Sequence, residues 1–119
     1  MTQSKQYTWH KIANGKEEIP FSENGMAEIK AGSKNICLIM NKDVLSACSS
    51  KCPHAGGRLA DGYIDALGNI VCPMHRYKFS LQNGRNVSGE GYFLKTYPVE
   101  IREEGIFVGI EEKSSQFGW

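Results

Sequence analysis

The sequence lacks long apolar segments and lacks an excess of charge of either sign. Its longest purely apolar run covers residues 36–40, whereas a membrane-spanning helix needs about 18 consecutive apolar residues and a signal peptide about 7. Fourteen Lys and Arg face thirteen Asp and Glu, which leaves a formal net charge of +1 and not the basic surplus of nucleic-acid-binding proteins. We therefore expect a cytoplasmic protein with no membrane anchor, no signal peptide and no nucleic-acid partner.

Internal repeats, low-complexity segments and linkers are also missing from the sequence, which argues against repeat proteins and against several domains. A length of 119 residues falls below the roughly 150 residues of a typical domain, so we predict a single domain, 1–119. Hydrophobic residues make up 40% of the chain and charged residues 23%, as is typical of a folded protein. Thirteen glycines predict many turns between short strands and disfavour long helices.

Short segments with aromatic or β-branched residues in rough alternation predict an all-β fold. The predicted strands are residues 6–12, 26–30, 34–40, 44–47, 93–101 and 105–111. Turn residues at 41–43 join the third and fourth strands into an antiparallel hairpin. Between the fourth and fifth strands the chain is rich in glycine, cysteine and histidine. We therefore predict a base formed by residues 1–44 and 84–119, and a loop-rich insert of about residues 45–83.

Two short motifs inside the insert carry metal-binding chemistry. They are C-P-H at 52–54 and C-P-M-H at 72–75, separated by seventeen residues. Each motif offers one thiolate and one imidazole, so that together they can form a site with four ligands. The candidate ligands are Cys52, His54, Cys72 and His75. Two sulfur and two nitrogen ligands suit tetrahedral zinc, and they equally suit a cluster in which Cys binds one iron and His binds the other.

The residues around the ligands favour an iron–sulfur cluster over zinc. Pro53 and Pro73 follow directly on the two cysteines and fix the backbone, while Gly56 and Gly57 allow the main chain to approach an enclosed group. Inorganic sulfides need backbone N–H donors around them, whereas zinc bound by four side chains needs far fewer. The finger-type zinc pattern pairs its cysteines in one loop and its histidines on a helix, unlike this chain. A zinc-stabilised interaction module remains an alternative.

At these residues the sequence resembles the Rieske-type ferredoxins. The similar stretches are CPHAGGRL at 52–59, CPMHRYKF at 72–79 and KTYPVEI at 95–101. The resemblance implies a [2Fe–2S] cluster whose inner iron is bound by Cys52 and Cys72. It implies that the outer, more exposed iron is bound by His54 and His75. It also implies stacked antiparallel sheets with a small cluster-binding subdomain at one tip.

The sequence departs from the high-potential branch of that family near both motifs. Gly57 and Met74 stand where that branch carries two additional cysteines that form a disulfide. Tyr77 and Phe79 stand where it carries hydroxyl groups that donate to the cluster, and Phe79 has no hydroxyl. Fewer donors stabilise the added electron less, because reduction makes the cluster more negative. We therefore expect a reduction potential near the lower end of the Rieske range, about −150 mV.

The resemblance implies a soluble carrier of single electrons and not an enzyme in its own right. Such a protein accepts an electron from a flavin-dependent reductase and passes it to a terminal oxygenase, and we expect a monomer. The alternative is the small subunit of an assimilatory NAD(P)H nitrite reductase, with the large subunit as partner, because residues 95–101 and the short length are similar to that family as well. Many such subunits lack the four ligands, so their presence favours the carrier.

Two further sets of residues bear on the surroundings of the site. Cys37 and Cys48 can face each other across the predicted hairpin, and we expect free thiols in a reducing compartment. Four basic residues surround the ligands in the sequence and form either a basic rim for an acidic partner or ordinary solvated surface. They are Lys51, Arg58, Arg76 and Lys78.

Overall fold

The computed structural model describes residues 6–53, 56–74, 76–87 and 93–111. In these ranges the chain forms ten β-strands and two single 3₁₀ turns, Lys16–Glu18 and Leu59–Asp61. The strands are β1 (Tyr7–Ala13), β2 (Met26–Ala31), β3 (Lys34–Asn41), β4 (Val44–Ser49), β5 (Tyr63–Ile64), β6 (Asn69–Val71), β7 (Lys78–Ser80), β8 (Thr96–Tyr97), β9 (Val99–Arg102) and β10 (Gly105–Glu111). A helix with the length and apolar character needed to cross a bilayer does not occur in the described ranges.

The strands form three antiparallel sheets, which confirms the all-β prediction. The first sheet has the order β1–β10–β9, the second β2–β3–β4–β8, and the third β5–β6–β7. The first and second sheets stack through an apolar core, and the third lies in the segment predicted as the insert. Strand β4, at the start of that predicted segment, pairs with β3 and β8 in the second sheet.

The predicted hairpin of β3 and β4 is confirmed, with a shorter turn than expected. The register pairs Asn41 with Val44, so that Lys42 and Asp43 alone form the turn. Both have positive φ angles, 52° and 66°, as in the two-residue turns that match the right-handed twist of antiparallel strands. The register of this hairpin determines which side chains of β3 and β4 face each other.

Pro98 divides the predicted strand 93–101 in two, so the prediction of one continuous strand is wrong. Strand β8 pairs with β4 in the second sheet, whereas β9 pairs with β10 in the first. Proline has no N–H to donate to a sheet and is confined to edges and interruptions. The carbonyl of Pro98 accepts a hydrogen bond from the N–H of Gly109 at 3.0 Å. The chain therefore crosses from one sheet to the other at Pro98 and ties the two sheets together.

Alternate residues of β3 face two separate cores, because side chains alternate across a strand. Ile36 and Leu38 lie in the core between the first and second sheets, whereas Cys37 and Ile39 lie in a second core on the opposite face. We call this second group the insert core. It consists of Met26, Cys37, Ile39, Cys48, Cys52, Leu59, Ala60, Ile70, Cys72, Phe79 and Leu94. The third sheet and the loops around it thus pack on the outer face of the second sheet.

Candidate metal centre

The first predicted cysteine ligand lies on a short loop that closes on itself. The N–H of Cys52 donates to the carbonyl of Gly57 at 2.8 Å, and the N–H of Gly56 donates to the carbonyl of Cys52 at 2.9 Å. Gly56 has a φ of +72°, a left-handed conformation that glycine adopts without the steric cost of a side chain. Lys51 and Arg58 form an antiparallel bridge at the root of this loop. We call residues 52–57 the first ligand loop.

The second predicted cysteine ligand lies on a loop of the same plan. The N–H of Cys72 donates to the carbonyl of Tyr77 at 2.8 Å, which repeats the closure of the first ligand loop. Strands β6 and β7 pair at its root. Arg76 has a φ of +57°, which is uncommon for a residue other than glycine. We call residues 72–77 the second ligand loop.

The two ligand loops meet, and their sulfurs are buried. Cys52 and Cys72 are 3% and 0% exposed, and the Cys52 thiol is near enough to raise the pKa of the Cys72 thiol. A β-carbon added to Gly57 would lie 3.2 Å from Sγ of Cys72 and 3.0 Å from Cγ of Met74, so a side chain at this position would push the loops apart. The structure therefore brings the two predicted cysteine ligands together.

The surroundings of the sulfurs fit a bound cationic group. Burial raises the pKa of the Cys72 thiol to about 11, a hydrogen bond from the backbone N–H of Met74 opposes this shift, and the neighbouring Cys52 thiol adds to it. Two thiols in such a setting become two thiolates when metal ions replace their protons. The Met74 N–H directed at sulfur is also the kind of donor that tunes iron–sulfur centres. These residues therefore fit a [2Fe–2S] cluster.

The two predicted histidine ligands, His54 and His75, lie outside the described residues. Within the described ranges, no group of three or more Cys, His, Asp or Glu side chains could hold a metal ion. Cys52 and Cys72 are thus the part of the predicted site that the structure shows. The ligand role of the histidines stays a prediction, based on their positions in the C-x-H and C-x-x-H motifs.

Phe79 stands where the high-potential branch has a hydroxyl donor, and Met74 stands where it has a disulfide cysteine. Phe79 is fully buried in the insert core with both cysteines, so an aromatic ring without a hydroxyl packs in the core shared with the sulfurs. Met74 is 47% exposed and lies beside Gly57 at the contact between the loops. The low reduction potential stays a prediction, with the buried Phe79 ring in its favour.

Two of the four basic residues near the ligands are paired with carboxylates. Nε of Arg58 lies 2.5 Å from Oε1 of Glu28, and its Nη1 lies 2.6 Å from Oδ1 of Asp61. Nζ of Lys78 lies 3.8 Å from Oδ2 of Asp65. The chain itself thus partly neutralises the basic rim that the sequence suggested.

Asn24 is a residue that the sequence analysis missed, and it ties the insert to the second sheet. Its side-chain amide donates to the carbonyls of Ala60 at 2.8 Å and of Gly62 at 3.0 Å, and its Oδ1 accepts the N–H of Met26 at 3.1 Å. The two carbonyls follow the first ligand loop and lie 36 and 38 positions away from Asn24 in the sequence. Asn-Gly at 24–25 signals a turn, but no local signal indicates such distant partners.

Comparisons with known proteins bear on both fold and cofactor. The family model described as the Rieske [2Fe–2S] domain matches residues 8–98. The 3-phenylpropionate/cinnamic acid dioxygenase ferredoxin subunit of Photorhabdus laumondii is 26% identical over 98 residues, which cover 82% of this chain and 90% of that subunit. The ferredoxin component of the alkene monooxygenase system of Xanthobacter autotrophicus is 22% identical over 80 residues, which cover 67% of this chain and 66% of that component, just under two thirds of its length.

Solved structures share the architecture of this chain. A putative NADH-dependent nitrite reductase small subunit from Mycobacterium tuberculosis has a TM-score of 0.76 at 16% identity, covering 91% of this chain and 99% of that one. A chain in the complex of reduced oxygenase and oxidized ferredoxin in carbazole 1,9a-dioxygenase has a TM-score of 0.71 at 23% identity, covering 89% of this chain and 96% of that one. These likenesses concern the fold alone. Because the family model spans most of the chain and both ligand loops, this chain belongs to the family of Rieske [2Fe–2S] domains and has a [2Fe–2S] cluster as its cofactor.

Proposed function

We propose that this protein is a one-electron carrier in which Cys52, His54, Cys72 and His75 hold the [2Fe–2S] cluster. It receives an electron from a flavin-dependent reductase and passes it to a terminal oxygenase. The chain acts as the electron-transfer component of an oxidoreductase system, and the turnover of substrate belongs to the partner enzyme.

The observation that carries this proposal is the meeting of the two ligand loops. Cys52 and Cys72 lie side by side and buried, whereas Pro53, Met74 and Arg76 on the same loops are exposed. Protein burial and backbone donors around the sulfurs tune the cluster. The exposed loop tips leave a short route for an electron to a docked protein. This combination suits a carrier that exchanges electrons by transient contact.

The comparisons support an oxygenase system as the context. Both relatives described above are ferredoxin components of oxygenase systems, and one structure of similar fold comes from a complex of a ferredoxin with an oxygenase. We infer that the electron acceptor of this chain is likewise a terminal oxygenase. The flavin-dependent reductase follows from the same logic, since a one-electron carrier needs a donor that splits electron pairs.

We further propose that residues 1–119 form one domain that works as a monomer in the cytoplasm. The insert core draws on strands β2, β3 and β4 as well as on the ligand loops, which supports a single folding unit with the cluster-binding subdomain at about 45–83 placed between base segments 1–44 and 84–119. A reducing compartment would keep the adjoining thiols of Cys37 and Cys48 free, as they are in the structure.

The second candidate is the small subunit of a nitrite reductase. The observation in its favour is the likeness in fold to the subunit from Mycobacterium tuberculosis, which extends over 91% of this chain. Such a subunit would stay bound to a large sirohaem-containing subunit, whereas a carrier would purify alone and bind its partners transiently. Stable co-purification with a sirohaem protein would favour the nitrite reductase subunit over the electron carrier.

The test of the carrier proposal uses the full chain, purified anaerobically. We expect a reddish-brown protein with equimolar iron and labile sulfide, whose visible absorbance bleaches with dithionite. The electron paramagnetic resonance spectrum of the reduced protein should show mixed His and Cys ligation, and ferricyanide should remove one electron per cluster. Protein-film voltammetry should give a midpoint near the lower end of the Rieske range, about −150 mV. A colourless, zinc-containing protein or an all-Cys spectrum would contradict the proposal.

A further inference from the structure

Arg58 and Arg76, the two arginines near the ligand loops, differ in whether a carboxylate among the described residues pairs with them. Arg58 contacts two carboxylates at once, and Lys78 has one nearby. Arg76 lies at the tip of the second ligand loop and is exposed. Among the described residues it has no ion-pair partner. Its charge is therefore available to another molecule.

The backbone of Arg76 is a second and independent observation. Its φ of +57° places an L side chain in the left-handed region, which costs conformational energy that glycine would avoid. Unfavourable backbone conformations of this kind cluster at ligand contacts and other functional sites. Lys42 and Asp43 also have positive φ angles, but a two-residue hairpin turn accounts for theirs, whereas Arg76 lies on a longer loop beside a predicted ligand.

Lys51 is a further exposed cation beside the ligands, at the root of the first ligand loop. It forms a backbone bridge with Arg58, and the two carboxylates that contact Arg58 belong to Glu28 and Asp61. Among the described residues Lys51 has no ion pair either, but its position is at the root of the first ligand loop, before Cys52. The unpaired arginine on a ligand loop itself is Arg76.

We propose that Arg76 is the docking residue for a carboxylate on the surface of the redox partner. A guanidinium binds a carboxylate through two parallel N–H bonds, which fixes orientation as well as proximity. Met74, 47% exposed and two positions before Arg76, and exposed Pro53 on the first ligand loop offer apolar surface on the same two loops. The partner that fits is a protein with an acidic side chain beside an apolar patch at its own electron-exchange site. This inference rests on the proposed carrier function.

The chain offers a matched control at Lys42. Lys42 is exposed, has a φ of 52° and, in the part of the chain that the structure describes, has no ion pair. It lies in the β3–β4 turn next to the β5–β6 turn, where a β-carbon on Gly68 would be 3.7 Å from Asn41. The second ligand loop is the β6–β7 turn, at the other end of the third sheet. Arg76→Gly and Lys42→Gly therefore each remove one positive charge from a residue with a left-handed backbone, at opposite ends of the third sheet.

The first test measures oxidation of the reduced holoprotein by ferricyanide, an anion, and by tris(phenanthroline)cobalt(III), a cation. At low salt we expect Arg76→Gly to lower the ratio of the ferricyanide to the cobalt rate constant about tenfold, and Lys42→Gly to change it less than about twofold. Arg76→Lys should restore most of the ratio. A change in cluster potential moves both rates in the same direction, so the ratio reports the charge at the electron-exchange site.

The second test measures binding with poly-L-glutamate as a carboxylate probe, by calorimetric titration of the holoproteins at low salt. We expect Arg76→Gly to bind at least about fivefold more weakly than the wild type and Lys42→Gly to bind nearly as well. Equal effects of the two variants, or no effect of Arg76→Gly in either test, would overturn the inference. Iron and sulfide analysis of the same samples distinguishes failure of this inference from failure of the proposed function. A wild type without a cluster contradicts the proposed function itself.

Discussion

Two pairs of cysteines lie in the insert core, one pair on strands and the other on loops. Cys37 and Cys48 sit opposite each other in β3 and β4, and both are 0% exposed. Cys52 and Cys72 are buried to nearly the same extent, at 3% and 0%. In both pairs one thiol is near enough to raise the pKa of the other. Burial and proximity therefore do not separate the pair of cysteines predicted to bind the cluster from the pair on the strands.

The backbone separates the two pairs. The N–H and C=O groups of β3 and β4 bond to each other across the ladder, and Sγ of Cys37 faces the thioether of Met26 at 3.9 Å. A hydrogen bond with Cys37 and burial raise the pKa of the Cys48 thiol well above its ordinary value, so it stays protonated. In the ligand loops, the N–H of Met74 points at the sulfur of Cys72 instead. Loops supply donors to sulfur and positions for further ligands, and a strand ladder supplies neither.

Replacing one cysteine of each pair tests this comparison most directly. Cys72→Ser removes one of the proposed thiolate ligands, and we expect loss of nearly all iron and labile sulfide. Cys37→Ser should keep the full complement and lose about 1–3 kcal/mol of unfolding free energy, because it buries a hydroxyl among apolar side chains. Iron and sulfide per chain after anaerobic purification measure the first effect, and urea unfolding measures the second. Equal iron loss in both variants would show that the strand pair also serves the cluster.

Gly62→Ala tests whether close packing between the loops is as necessary as the ligands. A methyl group at Gly62 would lie 1.9 Å from the carbonyl oxygen of Val71 and 3.2 Å from Cδ of Pro73, so β6 and the start of the second ligand loop must move. We expect a loss of about 3 kcal/mol in unfolding free energy from overpacking.

The control for this substitution is Gly68→Ala, in the turn before β6. Gly68 has a φ of +87° and open space around it, with Asn41 the nearest contact at 3.7 Å. Its replacement should cost only the backbone term of about 1 kcal/mol. Similar urea midpoints for the two variants would mean that the loops tolerate displacement and that their contact matters less than we infer.

The parts of this architecture that were predictable have local signals. Two apolar runs around a short polar turn predict the β3–β4 hairpin, and the structure confirms it, including the facing of Cys37 and Cys48. The repeated C-P motif predicts that Cys52 and Cys72 serve one site, and the structure places the two buried cysteines near each other. In each case the residues that specify the feature are neighbours in the sequence or copies of one motif.

The parts that were not predictable depend on distant segments. The two halves of the predicted strand 93–101 join different sheets at Pro98 because their partners are β4 and β10. Asn24 binds carbonyls that reach it only after the insert folds back on the second sheet. Arg58 and Arg76 look alike in the sequence, and only the fold shows that Glu28 lies against Arg58. Composition and spacing contain no information on such pairings.

Asn24→Ala tests how far the ligand loops depend on support from the second sheet. Cys37 and Cys48 need no such support, because they are themselves part of that sheet. The variant loses two hydrogen bonds to the carbonyls of Ala60 and Gly62, and we expect a loss of about 2 kcal/mol together with faster release of iron to a chelator. Asn14→Ala is the control, since the side chain of Asn14 bonds to nearby, exposed Glu18 and to no other residue that the structure describes. An unchanged rate of iron release in Asn24→Ala would show that the loops hold their geometry without this contact.

The smallest expected effect is on stability at low pH. It compares the β5–β6 turn, which precedes Cys72, with the β3–β4 turn, which precedes Cys48. Burial alone would raise the pKa of Asp65, but hydrogen bonds from Asn69 and Leu67 and the charge of Lys78 outweigh it and hold the pKa below its ordinary value of 3.8. Asp65 contacts the N–H groups of Leu67 and Asn69 at 2.9 Å each, so its carboxylate organises the β5–β6 turn before the second ligand loop.

Because the pKa of Asp65 is lower in the folded chain than in the unfolded one, the unfolded chain takes up the proton first as the pH falls. The stabilisation is complete at neutral pH, begins to fade near pH 3.8, and is lost as the pH drops through the lower folded value. Asp65→Asn should therefore lower the melting temperature at pH 7 and differ less from the wild type at pH 3. Asp43→Asn, which removes a carboxylate from the β3–β4 turn of the strand pair, is the control in the same melting measurements. Parallel melting curves for wild type and Asp65→Asn at both pH values would mean that the carboxylate of Asp65 does not support the loop region.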